Sequence, residues 1–253
     1  MLSHTLSQPK SWALAHGDYE PLPSEIQTID VITGKLLQGV PLPYILERWE
    51  FLGRTFSVTP DVLIPRPETE LLVERAISIA KMIEQPRIMD VGTGSGIIAI
   101  SLAAELPQAI VIASDLSWQA LRVAQGNADR LGQAHIQFLQ ANLLQPLVGP
   151  FDLVCANLPY IPSHRLAALE VSKHEPRLAL DGGESGLDLL RNLLAESNTR
   201  LAPTGTLLLE IESSLGSEAL SLAQHSFPTA HVILHQDLAG HDRLIEIQSK
   251  ETL

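Results

Sequence analysis

The 253-residue chain holds a single cysteine, Cys155. No internal disulfide can form, and no cysteine-based zinc motif is available. Cys155 lies in a β-rich apolar run, where a small buried hydrophobe is the expected use. Aromatic residues make up only 4% of the chain. A core must therefore be mainly aliphatic, and the 45% apolar content is ample for one. Basic residues are scarce as well: 17 Lys and Arg stand against 29 Asp and Glu, a net charge of −12. With no Lys/Arg run, this balance disfavours a nucleic acid as the main partner. Nine histidines are scattered, and the one pair four residues apart, His231 and His235, lies in a stretch read as a strand and not a helix, so no metal is expected. No apolar run approaches the length that spans a bilayer, and Met1 to Trp12 carry no apolar core of signal-peptide type. The expectation is a soluble, cytoplasmic chain with no membrane partner. Its length suits one large domain, or a medium domain with a small one.

What is present has a clear rhythm. Ser24-Glu-Ile-Gln27 has the spacing of a capping box, followed by Ile29, Ile32 and Leu36 at helical intervals. Gly39, Pro41 and Pro43 end that helix, and Leu42 to Trp49 suggest another short one. Residues 49 to 58 read as a hairpin turning at Gly53. Leu63-Ile-Pro-Arg-Pro-Glu-Thr-Glu70 is a stiff loop opening a helix, with Pro67 in its first turn and acids at its positive end. From Arg87 onward, strands and helices alternate. Strands are expected at 87–91, 109–115, 135–139, 151–156 and 205–211. Helices are expected at 97–105, after Ser117, at 186–201 and at 216–224. Two last strands, 231–234 and 244–248, lie too close for a crossover helix and should pair antiparallel. The pattern predicts an α/β fold with a doubly wound, mainly parallel seven-stranded sheet.

One strand ends unusually. Phe151 to Ala156 runs into Asn157-Leu-Pro-Tyr160. Pro159 cannot continue a ladder, because it lacks the N–H and fixes φ. The carbonyl before it is free to point elsewhere, and Asn157 adds a side-chain carbonyl. Two converging acceptors suit a planar –NH2 group, which offers two donors, and Tyr160 can lie against its face. Such a clamp favours an amide nitrogen that turns tetrahedral as it attacks. Read alone, the same four residues also make an ordinary strand-ending turn.

A second motif stands upstream. Asp90-Val-Gly-Thr-Gly-Ser-Gly96 follows a strand and opens a helix, a place where glycines admit a ligand close to the backbone. Ile97 breaks the dinucleotide fingerprint, and no lysine follows to make a P-loop. Asp115 ends the next strand, 19 residues beyond Gly96, where a carboxylate can accept both hydroxyls of a ribose. An adenosyl ligand carrying an amino acid in place of a pyrophosphate fits this set. S-adenosylmethionine is the candidate, since methyl transfer from it needs chiefly an aligned nucleophile.

From about Trp12 to its end the sequence resembles the class I S-adenosylmethionine-dependent methyltransferases, and among them the release factor glutamine methyltransferases of the HemK/PrmC family. The resemblance rests on Pro43-Tyr44-Ile45, the proline-rich loop 63–70, Asp90 to Gly96, Asp115, Asn157 to Tyr160, and His174-Glu-Pro-Arg-Leu-Ala-Leu180 with Asp181 to Asp188. It implies a small helical substrate-recognition domain at 1–48, shorter than in some members. A hairpin and proline-rich linker at 49–66 and a Rossmann-like catalytic domain at 67–253 would follow. By the same resemblance Gly92, Thr93, Gly94, Ser95 and Gly96 line the methionine part of the cofactor, Asp115 holds its ribose, and Asn142 lies near its adenine. Asn157, Leu158, Pro159 and Tyr160 hold the substrate amide, with Asn157 also near the cofactor. The implied reaction is N5-methylation of the glutamine in the Gly-Gly-Gln motif of class 1 peptide-chain release factors, releasing S-adenosylhomocysteine. A ribosomal protein is the nearest alternative substrate. Adenine in nucleic acid is a more distant one, because Asn-Leu-Pro-Tyr also occurs in ribosomal RNA adenine dimethyltransferases. The family's usual tetrapeptide is Asn-Pro-Pro-Tyr; Leu158 departs from it, losing stiffness while keeping the backbone carbonyl.

Overall fold

The computed structural model describes residues 1–250. Four helices come first: α1 (Leu2–Thr5), α2 (Lys10–Ala15), α3 (Pro23–Leu37) and α4 (Leu42–Leu46). The cap of α3 differs from the one expected at Ser24. Pro23 takes the first position, for which its fixed φ is suited, and the Glu25 carboxylate reaches back to accept the Leu22 N–H at 2.7 Å. The reciprocal acid of the capping box is thus Glu25, two residues before Gln27. The hairpin follows as expected, β1 (Trp49–Phe51) and β2 (Arg54–Phe56) pairing antiparallel. Leu52 and Gly53 both take positive φ in its two-residue turn, the geometry that matches strand twist.

Then come α5 (Thr69–Ala80), β3 (Arg87–Val91), α6 (Ile97–Glu105), β4 (Ile110–Asp115), α7 (Trp118–Arg130), β5 (Gln137–Gln140) and β6 (Phe151–Ala156). After these lie α8 (Ser163–Leu166), α9 (Asp188–Ser197), β7 (Leu201–Glu210), α10 (Gly216–Ser226), β8 (His231–Gln236) and β9 (Asp242–Gln248). The seven strands of the main sheet stand in the order β5-β4-β3-β6-β7-β9-β8. The first five run parallel, and β9 runs antiparallel to both β7 and β8. β3, α6 and β6 have the bounds expected from sequence. The expected helix 186–201 is shorter and β7 longer, because Leu201 pairs with Phe151 ahead of a register shift and draws the chain into the sheet early.

The sheet is covered on both faces. α5 and α6 pack Leu72, Ala76, Ile98 and Leu102 against one face. α9 and α10 pack Leu190, Leu193, Ala219 and Ala223 against the other. β6 is an almost unbroken apolar run for this reason. Cys155 on β6 is fully buried, and burial pushes its thiol well above the usual range.

The topology fixes where a ligand sits. From β3 the chain moves outward through β4 to β5, then returns to the opposite side of β3 with β6. That reversal leaves a crevice beyond the carboxyl ends of β3 and β6, the usual binding place in an open parallel sheet. Asn127 of α7 ties the hairpin to its rim. It donates to the Ser57 and Ser95 carbonyls at 2.9 Å each and accepts the Ser57 N–H at 2.7 Å. Among the described residues no helix is long and apolar enough to cross a membrane.

Candidate active site

A cavity of about 510 Å³ occupies this crevice. One wall is the turn from β3 into α6, contributing Gly92, Thr93, Gly94 and Ser95. The turn is held by Gly92 and Thr93, whose N–H groups donate to the Ser114 carbonyl at 2.9 and 2.8 Å. Gly92 has φ +73°, and a Cβ there would meet the Leu158 side chain at 3.1 Å. Only glycine lets the turn lie this close to the end of β6. Gly96 stands apart from the others. It is absent from the cavity wall, and a Cβ on it would strike Ile100 at 2.8 Å and Ala124 at 3.1 Å. Gly96 thus has a packing role of its own, letting the start of α6 lie close to α7.

Asp115 reaches the cavity from the end of β4. Its carboxylate accepts the Gly94 N–H at 2.9 Å and the Ser117 N–H at 2.8 Å. A carboxylate has about four acceptor sites, so capacity remains for the two hydroxyls of a ribose. Burial pushes the Asp115 carboxyl above its ordinary range, and the N–H groups of Ser117, Gly94 and Leu116 oppose that. Beneath it, Asp90 is fully buried. It accepts the Thr93 hydroxyl at 2.6 Å and the Ala99 N–H at 3.1 Å on one oxygen, while the other has no partner. Burial raises this carboxyl to about 7, the Thr93 and Ala99 donors pull the other way, and the charge of Asp115 adds to the rise. Asn142 also lines the cavity, beside Leu143.

Asn157, Leu158 and Pro159 form the facing wall. Asn157 and Leu158, from which the sequence inferred two acceptors, thus line the same chamber as the glycine turn and Asp115. The Nδ2 of Asn157 donates to the Thr69 hydroxyl at 3.2 Å, which leaves its Oδ1 for the cavity. Leu158 is buried and joins the aliphatic cluster of α9, which anchors the tetrapeptide. Tyr160 lies behind this wall, in a small adjoining cavity with Leu158, Pro159 and Glu210. Burial and, second, the charge of Glu210 raise its phenol. The chain after it is pinned by Ile161 N–H to the Leu180 carbonyl at 3.0 Å and by Gly182 N–H to the Ile161 carbonyl at 2.8 Å.

Two further segments close on the chamber. Val62, Leu63 and Pro65 come from the proline loop, and Pro176, Leu178 and Ala179 from the Glu-Pro-Arg segment. Glu175 joins them, accepting the Ile64 N–H at 3.0 Å and Arg66 at 2.6 Å. Tyr44 of α4 extends the connection, donating to the Val62 carbonyl at 2.6 Å. Sequence reasoning gave Thr69 and Glu210 no place in the site, and Asp90 no role beyond heading the glycine motif. Each left a signal. Asp90 and Glu210 are acids ending apolar strands at the carboxyl edge of a parallel sheet, and Thr69 lies within the proline-rich loop itself.

The cavity fits an adenosyl amino acid. It combines a glycine turn pressed on the β6 end, a carboxylate with spare acceptors, and apolar walls wide enough for a nucleoside. Comparison with known proteins agrees with this architecture. The methyltransferase small domain family matches residues 67–173. The release factor glutamine methyltransferase of Moorella thermoacetica is 46% identical over 208 residues, covering 81% of this chain and 74% of that one. That of Bordetella pertussis is 38% identical over 249 residues, covering 96% and 91%. The crystal structure of the ribosomal protein L11 methylase of Lactobacillus delbrueckii subsp. bulgaricus shares the fold with a TM-score of 0.54 at 22% identity, covering 73% of this chain and 80% of that one. An alignment at this level along nearly the whole length decides the matter: the chain belongs to the release factor glutamine methyltransferase family of class I S-adenosylmethionine-dependent methyltransferases.

Proposed function

We infer that this chain methylates the side-chain amide nitrogen of the glutamine in the Gly-Gly-Gln motif of class 1 peptide-chain release factors, using S-adenosylmethionine. One observation carries the reading: Asn157 and Leu158 line the same chamber as the glycine turn and Asp115. The cofactor supplies an electrophilic methyl group and leaves as S-adenosylhomocysteine. The chain does the rest by placement. Gly92 to Ser95 cradle the amino-acid end, Asp115 takes the ribose hydroxyls, and Asn142 borders the adenine. The Oδ1 of Asn157 and the carbonyl of Leu158 accept the two amide N–H groups of the glutamine, with Pro159 stiffening the turn and Tyr160 backing it. Held so, the amide nitrogen loses conjugation with its carbonyl as its lone pair turns toward the methyl carbon. A nitrogen–carbon bond forms, the sulfur–carbon bond breaks, and one amide proton departs to solvent. Orientation in the chamber provides much of the rate.

Residues 1–48 serve as the recognition unit for the release factor, and 49–66 as the linker that carries the proline loop to the catalytic domain at 67–253. The substrate places the enzyme in the cytoplasm. The test is to incubate the protein with tritiated S-adenosylmethionine and, separately, release factor, ribosomal proteins and ribosomal RNA. Label on release factor alone supports the reading; label on ribosomal protein or RNA alone overturns it.

A further inference from the structure

We propose that Thr69 and Glu210 are positioning residues that hold the Asn157 carboxamide with its nitrogen turned inward and its oxygen facing the cavity. The proposal rests on the reading above and deepens it, because the substrate amide is clamped only if an oxygen, not an –NH2 group, faces it.

The geometry leaves one arrangement. β6 and β7 run parallel with Ala156 opposite Leu209, so Asn157 and Glu210 follow side by side at the strand ends. Thr69 enters from the first turn of α5, fully buried, and its hydroxyl accepts the Asn157 Nδ2 at 3.2 Å. Glu210 lies next to this pair: burial raises its carboxyl, and hydrogen bonding from Thr69 and Asn157 opposes the rise. Above its raised value of about 7 the Glu210 carboxylate is ionised and only accepts, whereas a hydroxyl accepts and donates. The Thr69 hydroxyl, which accepts from Asn157, is therefore left to donate its hydrogen bond to Glu210. Rotating the Asn157 amide by half a turn would set its Oδ1 against Thr69 and Glu210, acceptor to acceptor. The acid at the end of β7 so fixes the sense of an amide that sterics alone leave two-fold.

Glu210 is not explained by stability. It is 8% exposed, and its Oε2 is buried with no partner. A buried carboxylate with an unpartnered oxygen costs free energy that an aliphatic residue would not. Such a cost retained beside reacting groups fits a residue kept for activity at the expense of stability.

The test uses the full chain and three variants: Thr69→Val and Glu210→Leu, which keep shape and remove hydrogen bonding, and Glu210→Gln, which keeps one acceptor oxygen. Two readouts are taken. Hydrogen exchange of the Asn157 side-chain –NH2, followed by nitrogen-15 NMR and assigned with Asn157→Ala, needs no substrate. It is slow in the wild type and in Glu210→Gln, and becomes fast in Thr69→Val and Glu210→Leu. Steady-state methylation of release factor then shows kcat reduced by about 100-fold in those two variants, the scale of a misplaced reacting group. KM and the cofactor affinity stay within about threefold, a change under 1 kcal/mol. Slow exchange in folded Thr69→Val and Glu210→Leu, or unchanged kcat in both, overturns the proposal. A wild type with a protected Asn157 amide but no activity on release factor overturns the substrate reading and leaves the positioning role standing.

Discussion

The Glu175 carboxylate joins two segments that are far apart in the chain, accepting the Ile64 N–H at 3.0 Å and Arg66 at 2.6 Å. Glu175 is buried while Arg66 is one-third exposed. Most of the connection's worth therefore lies in the buried backbone bond, since water screens the cation. Glu175→Ala should destabilise the protein by about 2 kcal/mol, the usual loss for hydrogen bonds to a charged group. It should also speed cofactor release by freeing the segments on that side of the cavity. Glu175→Gln keeps an acceptor for Ile64 and should recover most of both. Thermal unfolding and stopped-flow cofactor dissociation measure the two effects.

Asp115→Ala should weaken S-adenosylmethionine binding by up to about 3 kcal/mol, for the loss of charge-assisted or strong neutral hydrogen bonds to the ribose. Asp115→Asn keeps one oxygen and should fall between. Calorimetric affinities of the three proteins that coincide would remove Asp115 from the cofactor site.

Stability should fall as pH rises from 5 to 8. Burial lifts the Asp90 carboxyl to about 7 in the folded protein, against roughly 4 when unfolded. The folded state therefore binds the extra proton across this window, and the stability tied to it is lost as pH climbs through the folded value. For Asp90 alone this is roughly 2–3 kcal/mol between pH 5 and 8. Glu210, also lifted to about 7 by burial with the charge of Glu68 adding and Arg243 opposing, contributes in the same direction. Carboxyls held low, such as Asp237 at about 2 beside Arg243, have the opposite dependence and act only in stronger acid. Urea denaturation across the window, repeated on Asp90→Asn, should show a flatter profile in the variant.

The short patterns that meet around the cavity were legible in the sequence. Asp90 to Gly96, Asp115 and Asn157 to Tyr160 each sit on a local pattern, a strand meeting a glycine turn, an acid or a proline. The parallel sheet was legible too, because buried strands and crossover helices have distinct periods. What stayed hidden depends on contacts across the fold. Thr69 and Asn157 are 88 residues apart, Ile64 and Glu175 111 apart, and no local rule links them. Gly96 looked like its neighbours in the turn, yet its contact is with Ala124 of α7. The early start of β7 also needed a partner strand to be seen.

The amide clamp is tested most directly by Asn157→Ala. Release factor is incubated with S-adenosylmethionine and either enzyme, and the peptide containing Gly-Gly-Gln is analysed by mass spectrometry, with cofactor affinity measured alongside by calorimetry. The wild type should add one methyl group to the glutamine. The variant should bind cofactor within about threefold of the wild type yet methylate about 100-fold more slowly, the scale of losing one aligned transition-state hydrogen bond. Methylation at an undiminished rate in the variant would contradict the clamp.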